Sequence, residues 1–387
     1  MTRSTPLPHV VIVGAGIVGA ATAYYLTLAG ARVTLLEAQT PSSGATGASD
    51  GAVSVASKRP GTMMQLAREA RDLYAQLVKD HVLAGAFHTR PTYLFARTPE
   101  EVTLIHTQGN DLAGAGEPTL ALTRLELLNR IPGLSERVLA GLKVPNDGHA
   151  IGYQVVSRLL AAAGVSPQRH TPVRRLAVAH GRVIGVETDA GRLLADRVVV
   201  AAGIDSGPLL GLSDVMIPRK GQLVVTDRAA MGGAAFPGPL MSAGYLAAKR
   251  AISPGQSSVN LVIDPLATGQ FLIGSSREEG LTDRQTDVVT VSAILREALS
   301  IYPALARQRV VRTFAGIRAS TPDGLPIVGR HPTLEGLIIA TAMQGDGICL
   351  GPLVGGAVAR LACDLEPTQD LSALSPLRFA MGPVASN

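Results

Sequence analysis

His9-Val-Val-Ile-Val13-Gly14-Ala15-Gly16-Ile17-Val18-Gly19 is the stretch whose reading decides the fold. Its first five residues are a short apolar strand, and Gly16 to Ala29 is a helix of small residues ended by Gly30. Arg32-Val-Thr-Leu-Leu-Glu37 is a second strand, so the segment is a β-α-β unit with tight connections. In such a unit Gly14 permits the tight turn, Gly16 lets the backbone approach a pyrophosphate, and Gly19 lets helix and strand sit close. The helix start at Ala15, Ile17 and Val18 offers N–H groups and a positive dipole end to phosphates. Glu37, followed by Ala38, is placed to accept hydrogen bonds from a ribose diol and would repel a 2′-phosphate. A dinucleotide is expected; the motif alone leaves flavin and nicotinamide open.

Outward from this unit, a Gly/Ser/Thr-rich loop (residues 41–57) precedes an amphipathic helix through Met64, Ala67, Ala70, Leu73, Tyr74 and Leu77. Short strands broken by Pro and Gly fill residues 85–145. Ile151 to Ala163 reads as a helix, Thr171–Val178 with Arg182–Thr188 as a hairpin, and Arg197 to Ala202 as a buried strand. Four antiparallel strands are expected at Gln222–Thr226, Tyr245–Ala248, Val259–Ile263 and Phe271–Gly274. A helix at roughly 286–300, a strand Gly336–Thr341 and a helix from about Gly351 to Cys363 close the chain. Nucleotide-type elements therefore recur at the start, middle and end. This predicts an α/β chain, α+β overall, with a discontinuous Rossmann-like domain (1–84, 145–211 and 309–387) and an inserted antiparallel-sheet substrate domain (85–144 and 212–308).

Composition narrows the class. Apolar residues make up 46% and charged ones 17%, enough for a large core, while aromatics are 3% and Trp is absent. The net charge of +5 is scattered, without the basic stripe or stacking platforms of a nucleic-acid binder. Cys349 and Cys363 lack paired spacing and read as buried thiols of a reducing compartment. No metal cluster, paired carboxylates or Ser-His-Asp arrangement emerges, and His149 and His331 read as loop histidines. Glycines, Gln344, Asp346 and Pro352 interrupt the apolar stretch 337–362, so no transmembrane helix is expected and the chain is placed in the cytoplasm.

Several separated motifs carry a family resemblance. The loop Ser42-Ser-Gly-Ala-Thr46-Gly-Ala48-Ser49-Asp50-Gly51, the strand end Ala201-Ala202-Gly203, and Gly316-Ile-Arg318-Ala-Ser-Thr-Pro-Asp323-Gly-Leu-Pro-Ile-Val-Gly329 follow one another in order. Gln344-Gly345-Asp346-Gly347-Ile348 completes the series. Together they resemble the FAD-dependent amine oxidoreductases of the D-amino-acid oxidase, glycine oxidase and sarcosine oxidase group. Ala319 stands where that group usually has Pro, and Asp205 where it often has Trp. The resemblance implies FAD as cofactor. It places the 42–51 loop under the flavin, the backbone of Val173 at the adenine, and Ala202, Gly203, Asp323 and the 345–348 turn beside the cofactor. The positive end of the last helix suits the negative charge of a reduced flavin.

Arg318 is the candidate for the substrate carboxylate, since a guanidinium forks onto a carboxylate with two hydrogen bonds. Tyr245 and Lys249 are candidates for the substrate's distal end. Ser54-Val-Ala-Ser-Lys58-Arg59-Pro-Gly61-Thr-Met-Met64 resembles catalytic subunits of bacterial opine oxidases, D-hydroxyproline dehydrogenases and hydrogen cyanide synthases. That resemblance implies an opine or cyclic secondary amino acid as substrate. It also implies a larger flavoprotein-like partner subunit, a small iron–sulfur subunit and, in some relatives, an FMN between subunits. Lys58 or Arg59 would serve the FMN phosphate, or form a solvated basic turn. A nicotinamide-dependent dehydrogenase, a flavin-binding scaffold and a free-standing oxidase are the competing classes.

Overall fold

The computed structural model describes residues 7–228, 236–250 and 258–385, with the side chains of 248–250 outside that description. The β-α-β unit forms as read. Strand His9–Val13 pairs in parallel with Arg32–Leu36 on one side and Arg197–Val200 on the other, and helix Ile17–Leu28 makes the crossover. Leu337–Thr341 adds a fourth parallel strand and Ile327–Arg330 an antiparallel edge. Both faces of this five-stranded sheet are covered, which is why its strands are continuously apolar rather than alternating.

The last helix, Gly347–Ala362, packs along the first. Glycines make the approach possible: a Cβ on Gly355 would lie 2.4 Å from the Cβ of Ala21, and one on Gly351 2.8 Å from Ile17. This helix begins four residues before the expected Gly351, so that Pro352 lies inside it. Pro352 has no N–H to give the carbonyl of Ile348 one turn back. The buried Tyr74 hydroxyl donates to that carbonyl instead, at 2.7 Å. Tyr74→Phe should therefore destabilise the fold by about 1–3 kcal/mol, the cost of a buried acceptor left unsatisfied. In a Pro352→Ala background, where the helix supplies its own N–H, thermal melts should show the same change costing less.

The second sheet has eight strands in the order Val310–Ser320, Ile217–Thr226, Phe271–Glu279, Ser258–Pro265, Leu240–Ser242, Thr92–Ala96, Ala140–Val144 and Leu120–Thr123. Helix Val288–Ile301 covers it, and Phe95, Ile263, Phe271, Ile294 and Tyr302 form its core. Strand Val310–Ser320, expected in the nucleotide-binding part, instead joins this sheet along most of Ile217–Thr226. It is the bridge between the two sheets, since the chain passes from it into the edge strand Ile327–Arg330 of the first.

The expected strand Tyr245–Ala248 is a helix, Ala243–Arg250. The Ser242 hydroxyl accepts the Tyr245 N–H at 3.2 Å and starts the helix, and the alanines that follow favour it. Cys349 is buried as expected, and burial pushes its thiol up to about 11; Cys363 is half-exposed. No helix among the described residues is long and apolar enough to cross a membrane.

Candidate active site

A cavity of about 550 Å³ runs from the glycine turn at Gly14 to the junction of the two sheets at Arg318. At its first end, Gly14 has φ +103°, and a Cβ there would lie 2.6 Å from the Ala201 carbonyl oxygen. A Cβ on Gly19 would lie 1.9 Å from the Gly14 carbonyl oxygen, so Gly19 lets helix and turn meet and faces away from the cavity. Thr46 Oγ1 accepts the Ile17 N–H at 3.1 Å, joining the 42–51 loop to the helix start. The first turn of that helix carries no acid, which leaves its positive end to a phosphate.

Glu37 lines the cavity and also braces the turn: one carboxylate oxygen accepts the N–H of Ala15 and the other that of Gln39, both at 2.8 Å. Ala15 is thus a buried part of the turn and does not line the cavity. A long cleft passing a helix N-terminus, an acid at the strand end and two glycine-lined turns fits a dinucleotide such as FAD. Gly16, Ile17, Val18, Ala38, Ala48, Ser49, Asp50, Val173, Ala202, Gly203, Gly345, Gly347 and Ile348 all line it. Bound there, FAD supplies the acceptor for a hydride; the chain's part is to hold it and to orient a substrate.

At the far end, Arg318 projects from its strand over Gly221 on the neighbouring strand. A Cβ at Gly221 would lie 2.7 Å from the guanidinium, so the glycine makes room for that head. Arg318 donates to Ser275 Oγ at 3.4 Å and has no carboxylate partner among the described residues. Tyr245 lines the same end. Burial raises its phenol pKa, as does the Asp50 carboxylate, and Arg318 opposes them. A half-buried cation with no ion pair among the described residues, beside a neutral phenol, has the chemistry to receive a carboxylate.

Other expected site residues sit elsewhere. Asp323 does not line the cavity: it accepts from Thr321 Oγ1, the Leu325 N–H and Arg378, and so shapes the turn after Arg318. Gly51 is walled off, since a Cβ there would lie 2.5 Å from His149 Nε2. His149 itself is on a strand, Gly148–Ala150, rather than in a loop. Lys249 belongs to the helix Ala243–Arg250, but its side chain lies outside the described residues.

Asp346 points away from the cavity and forms an ion pair with Lys58, whose side chain is 4% exposed. Lys58 is therefore neither a solvated turn nor turned outward to an interfacial FMN; only Arg59 is exposed. Removing one member of a buried pair strands the other's charge. Lys58→Met should cost about 3 kcal/mol in thermal unfolding, and adding Asp346→Asn should return much of it.

Sequence reading missed Arg284, which lines the cavity and donates to the Ser43 carbonyl at 2.7 Å. It comes from the irregular segment before helix Val288–Ile301, and no local pattern ties that segment to the 42–51 loop.

Fold and glycine turn define a protein built around a dinucleotide. The chain belongs to the DAO family of FAD dependent oxidoreductases, which it matches over residues 9–361. It is 30% identical to the glycine oxidase of Geobacillus kaustophilus (strain HTA426) over 95% of this chain and 96% of that protein. It is 26% identical to the glycine oxidase of Bacillus subtilis (strain 168), over 93% and 94% of the two chains. The crystal structure of glycine oxidase from Geobacillus kaustophilus superposes with a TM-score of 0.85 over 97% of this chain and all of that one, at 27% identity. L-proline dehydrogenase from P. horikoshii shares the fold, with a TM-score of 0.85 at 23% identity.

Proposed function

We propose that this enzyme oxidises the carbon–nitrogen bond of a small primary or secondary amino acid, with FAD as the immediate acceptor. The observation that carries the reading is Arg318. It is a cation without an acid partner among the described residues, at the end of the cavity away from the pyrophosphate turn. The substrate's carboxylate docks on Arg318, its Cα–H faces the flavin, and hydride transfer leaves an imine; water hydrolyses an acyclic imine to an oxo acid and an amine, whereas a cyclic one stays in one piece. Full-length similarity to glycine oxidases supports glycine-like substrates and a chain that works by itself.

The opine-type substrate and the partner subunits rest on the resemblance of Ser54 to Met64 alone. With Lys58 paired internally, that segment offers an interfacial FMN phosphate only Arg59. The test is the purified single chain in air with glycine, sarcosine, D-proline, D-hydroxyproline and octopine. Peroxide, with oxo acid from glycine or sarcosine or a cyclic imine from D-proline, supports the reading. Turnover of octopine alone, and only with co-expressed subunits, would replace it with the opine-dehydrogenase assembly.

A further inference from the structure

Arg318 is not the only charge at the substrate end of the cavity; Asp50 is there too. The backbone brings them together. Strands Ile217–Thr226 and Val310–Ser320 pair with Gly221 opposite Gly316. A Cβ on Gly316 would lie 2.6 Å from the Cβ of Ala48, so the 42–51 loop rests directly on this strand pair. Asp50 is two residues beyond Ala48, and Arg318 two beyond Gly316. Both line the cavity, and the Tyr245 phenol senses both charges with opposite sign.

The Asp50 side chain is held in place. Its Oδ1 accepts the Ala52 N–H at 3.2 Å across Gly51, which has φ +82°. The loop cannot retreat, because Gly51 backs onto His149. Asp50 forms no ion pair among the described residues. The charged and titratable groups around it divide into two sets. Arg318, Tyr245 and Arg284 share its cavity, with Arg277 and the Lys58–Asp346 pair acting on Tyr245. On the wall side are His149, Asp264 and Arg90. Burial takes His149 down to about 3, so its imidazole is neutral, and takes Asp264 up to about 6, with Arg90 donating to it at 2.5 Å.

An amino acid at neutral pH carries its nitrogen as an ammonium, which has no lone pair to push out a hydride. One proton must leave before the C–H bond breaks. We propose that Asp50 is the group that receives the substrate's amino nitrogen and takes that proton, so that the cavity is built for zwitterions bound between Arg318 and Asp50. This rests on the amino-acid oxidation proposed above. The step balances: the N–H proton passes to the Asp50 carboxylate, and the freed lone pair forms the C=N bond. The Cα hydride, with both electrons, leaves to oxidised FAD. Asp50 releases its proton to solvent before the next turnover. A second carboxylate on the nitrogen would meet the Asp50 anion, so single-carboxylate amines are favoured over N-carboxyalkyl ones.

The experiment is the pH dependence of kcat/KM for FAD-loaded Asp50→Asn and Asp50→Glu, with the best amino acid found for the wild type. Asp50→Asn should lose about 10²-fold at neutral pH. It should recover as the pH climbs into the range where the substrate amine deprotonates by itself, so that its acid limb moves upward. Asp50→Glu should keep the wild-type shape. A profile of unchanged shape in Asp50→Asn, however large the fall, would overturn the assignment, because a merely structural role lowers activity at every pH alike. If Asp50→Asn fails to retain FAD, Asp50→Ser is read by the same criterion. A wild-type chain reduced by no amino acid would sink the proposed function itself; a reduced wild type with an indifferent Asp50 sinks only this step.

Discussion

Arg318→Ala will keep its FAD and its fold but lose kcat/KM for the amino-acid substrate by about 10³-fold, the order expected when a carboxylate loses a charged, hydrogen-bonded partner in a partly enclosed site. The loss should fall mainly on KM and on the rate of anaerobic flavin reduction, as expected of a guanidinium proposed both to bind and to aim the substrate. Arg318→Lys should recover only part of it, because an ammonium cannot fork onto both carboxylate oxygens. Folding is not at stake in the same way. The residue has no acid partner among the described residues, so its removal strands no buried carboxylate there. An Arg318→Ala enzyme reduced by substrate at the wild-type rate would remove the carboxylate receptor from the account.

Gly14→Val will give a colourless protein. The backbone at Gly14 has φ +103°, which a β-branched residue adopts only with strain, and any Cβ there would lie 2.6 Å from the Ala201 carbonyl. The turn must open, and with it goes the geometry that Glu37 braces through the Ala15 N–H. FAD affinity measured by flavin release should fall at least about 10²-fold, equivalent to about 3 kcal/mol, with a lowered melting temperature. Gly114→Ala is the contrast. It lies in helix Pro99–Gly114 with no atom within 4 Å of its added Cβ, and should be neutral or slightly stabilising.

The elements legible in the sequence are those with a local cause. The β-α-β unit was readable because strand, glycine turn, helix and acid fall within 29 residues from His9 to Glu37, and each has its own physical signature. Arg318 was readable through its flanking glycines and Asp-Gly-Leu-Pro turn, although Asp323 turned out to stabilise that turn rather than meet the cavity. What stayed hidden depends on distant partners. Lys58 and Asp346 are far apart in sequence, and nothing local in either segment marks the pair. The same holds for Tyr74 and the carbonyl left by Pro352, and for Arg284 at Ser43. Tyr245 was misread for a different reason: a short Gly-Tyr-Leu-Ala-Ala run suits strand or helix, and the Ser242 cap decides.

The central claim is that an amino acid, held by its carboxylate at Arg318, gives a hydride to FAD in this cavity. Anaerobic titration of the FAD-loaded chain with glycine, sarcosine and the prolines tests it most directly. Bleaching of the flavin by at least one of them is the predicted result, with one oxo acid formed per flavin reduced for glycine or sarcosine and one cyclic imine for a proline. A flavin that stays oxidised with every amino acid, while dithionite still reduces it, would contradict the account.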